Sequence, residues 1–572
     1  MFYNTMMKKT SHINKKTTLK DIMTLERMGA RYPSRLSFSR SMLRAMVREK
    51  WRIKTVIFDL DKEGYGSVVY EVTTPKQIYS LLCFSQYLDD KERSDRVIAD
   101  KWDTAYTLHI GKISKLEFKR LKKNIPLQEA GRNSPKELIL SRANKSVRLF
   151  EKVVDCLSKG NQPDINDFNK VGYLLRTTAV YGSGKFGLSD FSRTKVVTNF
   201  NQPFRAEMLA VYIIREFSIH LVEHIAYNRN PKKAVKIKNK IKQHLGIGNS
   251  TGLGMAPFII KHPKLIHKWI RQFEKTLMKI KIIKSIKNSS FNKFIILLEK
   301  SKTYLSEVDT NDKIQKIKNK KTLEDLILII KHCKKIRKNS LNNFNWAKLI
   351  KYAEKNYCYD LQEIVKVQII ELYPNIADKL AEDMSMGDDQ YIKHNMLVSD
   401  LLNIIRKNYD WALKTNFKTK INTYLFWYVS KEKLEPRLGE RYNEKGSELE
   451  QPLGIGRMVN ELYEFINKKN KKILKLNIIK FLILYPQFRG IIRRIQTLSD
   501  YKYGEVKDNI LHKNVLPIDM LRFKLSFFGA SRYDPKSDRW LRVSFFAGAP
   551  YYQNLNKKNV EQWGFSTMNS YK

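Results

Sequence analysis

Two glycine-dense runs, each bordering a helical pattern, constrain the fold of this chain more than any other feature of its sequence. They are Tyr181-Gly-Ser-Gly-Lys-Phe-Gly187 and Gly246-Ile-Gly-Asn-Ser-Thr-Gly-Leu-Gly254. Glycine adopts positive φ at little steric cost and lets a ligand or another backbone come close. Each run is therefore expected to be a loop beside a site. From Ala130 to Pro257 the lysines thin out and Gly, Ser, Thr, Arg and Asn cluster, whereas the rest of the chain is rich in Lys, Asn, Ile, Tyr and Phe.

At 572 residues the chain exceeds one ordinary hydrophobic core, which predicts several domains. Its residues are 42% hydrophobic and 11% aromatic, which excludes wholesale disorder. Cys83, Cys156, Cys333 and Cys358 form no Cys-x-x-Cys pair. That pattern excludes a zinc ribbon and predicts reduced thiols in a cytoplasmic protein. No apolar run approaches the roughly 20 residues that a spanning helix needs, so no membrane span is expected. The N-terminal lysines lack an apolar stretch, and Asp21 and Glu26 argue against a transit peptide.

Lys and Arg number 107 against 57 Asp and Glu, a net charge of +50. A charge of this size ordinarily points to nucleic acid or an anionic surface. Here the excess is mostly Lys and travels with Asn, Ile, Tyr and Phe, the residues of A/T-rich codons. Drift in genome composition plus solvated helix faces is the better account. The residues from Lys261 to Ser340 carry 22 basic against 7 acidic side chains, a local net of +15.

Five segments follow from the pattern. Residues 1–50 form a basic N-terminal arm, and 51–125 form an antiparallel β-rich subdomain. There Ile53–Leu60 and Ser67–Thr73 flank the turn Asp61-Lys-Glu-Gly64 as a hairpin, and Tyr79–Tyr87 and Trp102–Ile110 add strands. Residues 126–280 are expected to be a helical core carrying the glycine-rich loops. Ser134-Pro-Lys-Glu137 has the form of a capping box opening a helix to about Ser158, and a second helix runs from Pro203 to about Tyr227. Residues 281–380 form a Lys-rich helical insertion. Residues 381–572 form a C-terminal helical region ending in a hairpin around Asp534-Pro-Lys-Ser-Asp538. The expected fold class is α+β and predominantly α-helical: a helical core, a small antiparallel sheet near the N-terminus and a C-terminal β-hairpin.

Several residues can carry chemistry. In the second run Gly246, Gly248, Asn249, Ser250, Thr251 and Gly252 can aim N–H groups and polar side chains at an anion. In the first, Gly182, Ser183, Gly184 and Lys185, with Arg176 upstream, suit phosphate or carboxylate. Neither run is a Walker loop or a dinucleotide fingerprint, because the glycine spacing differs from both. On the helix between them, Glu216, His220 and His224 are four residues apart and stack on one face, with Glu223 adjacent. Such a set serves metal-free acid–base chemistry or, through His220, His224 and Glu216, a divalent metal.

Two short matches point elsewhere. Val56-Ile-Phe-Asp-Leu-Asp61 resembles the first motif of the haloacid dehalogenase superfamily, but Glu63 stands where that motif has Thr or Val, and no alternation of strand and helix surrounds it. Met386-Gly-Asp-Asp-Gln-Tyr391 resembles the Gly-Asp-Asp of nucleotide polymerases without the apolar flanks of that hairpin. The expectation is therefore a cytoplasmic enzyme acting on a small anionic metabolite or cofactor, a lyase or a transferase. A nucleic-acid-binding protein using its Lys-rich surfaces and a helical scaffold without chemistry are the alternatives.

Overall fold

Strand pairing begins where the sequence alternates. The computed structural model describes residues 34–92, 101–126, 136–177, 205–252, 263–307, 313–339, 341, 344–382, 392, 395–414, 416, 427–430, 436–438, 450–452, 455–469, 471–489, 491–492, 495, 528–535 and 540–563. After helix α1 (Phe38–Arg48), strands β1 (Arg52–Leu60), β2 (Gly66–Thr73), β3 (Ile78–Ser85) and β4 (Thr104–Ile110) pair in an antiparallel meander. The first turn is held by the Asp61 carboxylate, which accepts the backbone N–H of Glu63 at 2.9 Å and of Tyr65 at 2.8 Å. Gly64 sits in that turn at φ 82°, and a Cβ on it would lie 2.8 Å from Leu221 Cδ1. The tip of the hairpin thus presses on a helix more than 150 residues away.

After α2 (Lys115–Asn124), the sheet continues through segments that sequence patterning assigns to helix and loop. Strand β5 (Glu137–Lys145) pairs antiparallel with β4 and leads into α3 (Phe150–Ser158). Strand β6 (Tyr173–Thr177) pairs antiparallel with β5. Helix α4 (Arg205–Arg229) then crosses to β7 (Gly246–Gly252), which lies parallel to β6. The C-terminal strands β8 (Ala530–Pro535) and β9 (Trp540–Phe545) form an antiparallel hairpin whose β9 pairs with β7. Among the described residues this makes one nine-stranded mixed sheet in the order β1-β2-β3-β4-β5-β6-β7-β9-β8, curled into a half-barrel.

This corrects the expected fold class. The N-terminal strands and the C-terminal hairpin are not a small antiparallel sheet and a separate hairpin but parts of one mixed sheet, with helices packed on both its faces. The helix expected to open at Ser134 and run to about Ser158 is, from Glu137 onward, strand β5 followed by the short α3. Strand β5 is buried at every position, so it shows none of the alternation that marks a strand with one wet face. Strand β7 is hidden by glycine, which strands disfavour. Gly248 is there for space: a Cβ would stand 2.4 Å from the Tyr173 ring on β6.

The two faces of the sheet bury different cores. On β3, Tyr79, Leu81 and Cys83 point inward to the main core, while Leu82 and Phe84 point outward with Val69, Ala105, Leu140 and Leu121 of α2. Helix α4 fills the inner face and is buried on nearly all sides from Arg205 to Ile219, as expected of a core helix with apolar residues all round. Beyond the sheet lie α5 (Pro263–Lys281), α6 (Asn288–Glu307), α7 (Lys313–Lys338), α8 (Trp346–Asn356), α9 (Tyr359–Glu371) and α10 (Pro374–Glu382). Their centre is aromatic, with Trp346 against Phe291, Phe294 and Phe344. A buried charge network ties this layer to both ends of the described chain. Arg35 binds Asp378 at 2.7 Å and Glu561 of α11 (Lys557–Gln562) at 2.6 Å, Arg40 binds Glu371, and Arg44 binds Asp378 at 3.1 Å. A smaller sheet pairs Trp427–Ser430 with Pro436–Leu438 and Glu450–Pro452.

Candidate functional site

Helix α4 carries the polar groups of the inner face on a mostly apolar helix, so each of them needs a partner supplied by another element. Arg215 is fully buried. Its Nε donates to Leu245 O at 2.8 Å, its Nη1 donates to Ala549 O at 2.9 Å, and its guanidinium lies 3.8 Å from the centre of the Tyr551 ring. It pins the middle of α4 to the start of β7 and to the segment after β9. One turn away, Tyr212 donates its hydroxyl to Pro550 O at 2.8 Å.

Next along the helix comes a linked set of three ionisable groups. His220 Nδ1 is 2.9 Å from the Tyr70 hydroxyl of β2, and His220 Nε2 is 3.4 Å from Glu216 Oε1. The Tyr70 ring stacks on the imidazole, and Phe58 of β1 meets it edge-on. Glu216 is buried, whereas the His220 side chain keeps 24% of its surface exposed. Burial, reinforced by Cys83, Glu216 and Tyr552, pushes the Tyr70 phenol well above its usual range. A carboxylate oxygen accepts, so a proton on Nε2 faces Glu216 and leaves Nδ1 to accept from the Tyr70 hydroxyl, whereas the other tautomer reverses the Tyr70 bond.

The other residues expected at a site have different surroundings. His224 Nε2 donates to the Asp61 carbonyl at 2.7 Å and its ring meets Phe58 edge-on, so this histidine fastens the β1–β2 turn to α4. Glu223 accepts the Ile237 N–H at 3.0 Å and pairs with Lys242 at 2.9 Å, which holds the chain returning toward β7. The two imidazoles have different partners, Tyr70 and Glu216 for His220 and the Asp61 carbonyl for His224. Among the described residues no group of three or more His, Cys, Asp or Glu is placed to hold a metal ion.

The run from Gly246 to Gly252 is corrected from loop to strand. The backbone of Gly246, Gly248, Asn249, Ser250, Thr251 and Gly252 lies between β6 and β9 in the sheet ladder. Asn249 donates its side-chain amide to Thr177 O at 2.8 Å. Arg176 is largely buried on β6, opposite Asn144 and Gly248. Gly182, Ser183, Gly184 and Lys185 lie outside the described residues, as does Met386-Gly-Asp-Asp-Gln-Tyr391. Asp59 and Asp61 of the dehalogenase-like stretch belong to an antiparallel hairpin, not to a strand leading into a crossover helix.

Tyr70 and Phe58 are the site residues that the sequence does not announce. Each sits in an ordinary hairpin, and only the packing of that hairpin on α4 brings them to His220. Comparison with known proteins gives no identity: no family model, curated protein or solved structure matches the chain.

Proposed function

We propose that this chain is a cytoplasmic enzyme that acts on a small anionic molecule and uses His220 for proton transfer. The observation that carries the reading is the setting of His220: an imidazole with one edge open to solvent, hydrogen-bonded at Nδ1 and more loosely paired at Nε2. Imidazole is the side chain suited to taking and giving a proton near neutral pH. Tyr70 holds the ring at Nδ1, and Glu216 stabilises the imidazolium, whose Nε2–H is the proton that His220 gives to the substrate. The 3.4 Å contact is the one that a substrate atom at Nε2 would replace. Phe58, 43% exposed, gives that opening an apolar wall.

The anionic character of the substrate is supported by the net charge of +50, which attracts small anions whatever its evolutionary origin. The cytoplasmic setting is supported by four unpaired cysteines. Lyase and transferase reactions both need a group of this kind. The test compares His220→Gln with His224→Gln against a panel of small carboxylates and phosphates, read by ligand-induced thermal shift and by turnover of any binder. His220→Gln should lose turnover while its melting temperature stays within about 3 °C of wild type. His224→Gln should lower the melting temperature and retain turnover. Full turnover in His220→Gln would refute the proposal.

A further inference from the structure

The outer face of the α6–α7 hairpin combines two features that rarely share a surface. Helix α7 exposes Ile317 (70%), Leu328 (51%) and Ile327 (39%), and α6 exposes Ile296 (61%). At 100° per residue Ile317, Lys320, Lys321, Glu324, Ile327, Leu328, Lys331 and Lys335 fall on one side of α7. Two cross-helix contacts bring the stretch of α6 that carries Ile296 alongside the C-terminal half of α7. Lys334 Nζ lies 2.7 Å from Glu299 Oε1, and Arg337 Nη1 donates to Asn292 Oδ1 at 3.3 Å. Exposed Lys313, Lys316, Lys320, Lys321, Lys331, Lys334, Lys335 and Lys338 surround the aliphatic groups. Two of the nearby carboxylates are already engaged, Glu299 by Lys302 and Lys334 and Asp325 by Lys321.

We propose that this face docks on the surface of an anionic lipid bilayer, with α7 lying in the plane of the headgroups. The charge complementarity is direct, since lysines reach lipid phosphates while their stems lie along apolar surface. The aliphatic side chains select the bilayer over a nucleic acid. Isoleucine and leucine gain by entering the headgroup–acyl boundary, whereas RNA is gripped by arginines and stacking aromatics, and the exposed cations of α7 are lysines apart from Arg337. No helix among the described residues is long and apolar enough to cross a membrane, so the contact is lateral. It does not depend on the reading of His220.

Co-sedimentation of the full chain with vesicles tests this, using phosphatidylcholine containing about 30 mol% phosphatidylserine against phosphatidylcholine alone. The expected result is pelleting with the anionic vesicles only, weakened by salt. The double variant Ile317→Ser/Leu328→Ser should cut the partition by about tenfold at an unchanged melting temperature, because both side chains are exposed. Lys331→Gln/Lys335→Gln should weaken binding and its salt dependence together. Failure of the wild type to pellet would overturn the proposal. So would competition by soluble glycerophosphoserine at equal headgroup concentration, which would mark a small-phosphate site. Binding of duplex RNA with no effect of Ile317→Ser/Leu328→Ser would also overturn it, in favour of a polyanion surface that reads charge alone.

Discussion

Arg215 and His220 are five residues apart on α4 and have opposite characters. Arg215 is fully buried and satisfies two carbonyls from β7 and the C-terminal segment. Replacing it with Met strands both acceptors and removes two charge-assisted hydrogen bonds, at an expected cost of about 3–5 kcal/mol. Denaturant titration of Arg215→Met checks this, and a loss below about 1 kcal/mol would show that the contact does not matter. His220 is partly exposed and contributes less to packing, so its replacement should spare stability. Tyr70→Phe separates the roles further. It leaves the ring stack in place but removes the donor to Nδ1, so turnover should fall about tenfold or more while the fold persists. The spacing of Glu216, His220 and His224 was legible in the sequence because it depends only on helical period. The different fates of the two histidines were not, because they depend on Tyr70 and on the Asp61 carbonyl, both from a distant hairpin.

Among the elements, the β1–β2 hairpin was legible because alternation and turn chemistry are local. Strands β5 and β7 were not, since burial on both faces removes alternation and glycine mimics a loop. Gly248→Ala tests the account of β7. The added methyl meets the Tyr173 ring, so the variant should lose about 2 kcal/mol by overpacking. A neutral or stabilising result would show that the strand is looser than its packing indicates. Helix α2 offers a test by pH. It docks on the outer face of the sheet through Glu117, which is 3.0 Å from buried His109 Nε2, and Arg120 links Glu117 to buried Glu137. Burial holds His109 below its ordinary value of 6.5, outweighing the opposite pull of Glu117 and Glu137, and Lys136 adds to the lowering. The unfolded chain therefore binds more protons than the folded one just below pH 6.5. Stability should fall as pH drops through 6.5 and level off below the folded value. Glu117, held below its ordinary 4.5 by His109 and Arg120 against the effect of its own burial, adds a further loss at lower pH. His109→Gln should flatten the first of these slopes. An unchanged slope would place the titration elsewhere.

At the scale of the whole molecule, the described chain is closed by residues far apart in sequence. The hairpin β8–β9 completes the sheet beside β7, and Arg35 bridges Asp378 of α10 and Glu561 of α11. Arg35→Met removes the partner of Glu561 and leaves Asp378 to Arg44, which should cost about 3 kcal/mol. It should also raise amide exchange across residues 551–563 before the sheet itself opens. Uniform loss of protection would contradict the idea of a separate lock. No sequence pattern announces such a closure, because every partner is hundreds of residues away and individually ordinary. The same closure carries the segment after β9 across α4, where Tyr551 covers Arg215, the residue before Glu216, and so helps to set the surroundings of His220. The most direct test of the proposed role is therefore long-range proton–nitrogen NMR of the His220 ring, in the wild type and in Tyr70→Phe, with the carboxylate and phosphate panel added. For the neutral form of the ring the account predicts a proton on Nε2, kept there by Glu216 in Tyr70→Phe, and a shift of that nitrogen with at least one anion. A proton on Nδ1, or a ring that no member of the panel perturbs, would contradict it.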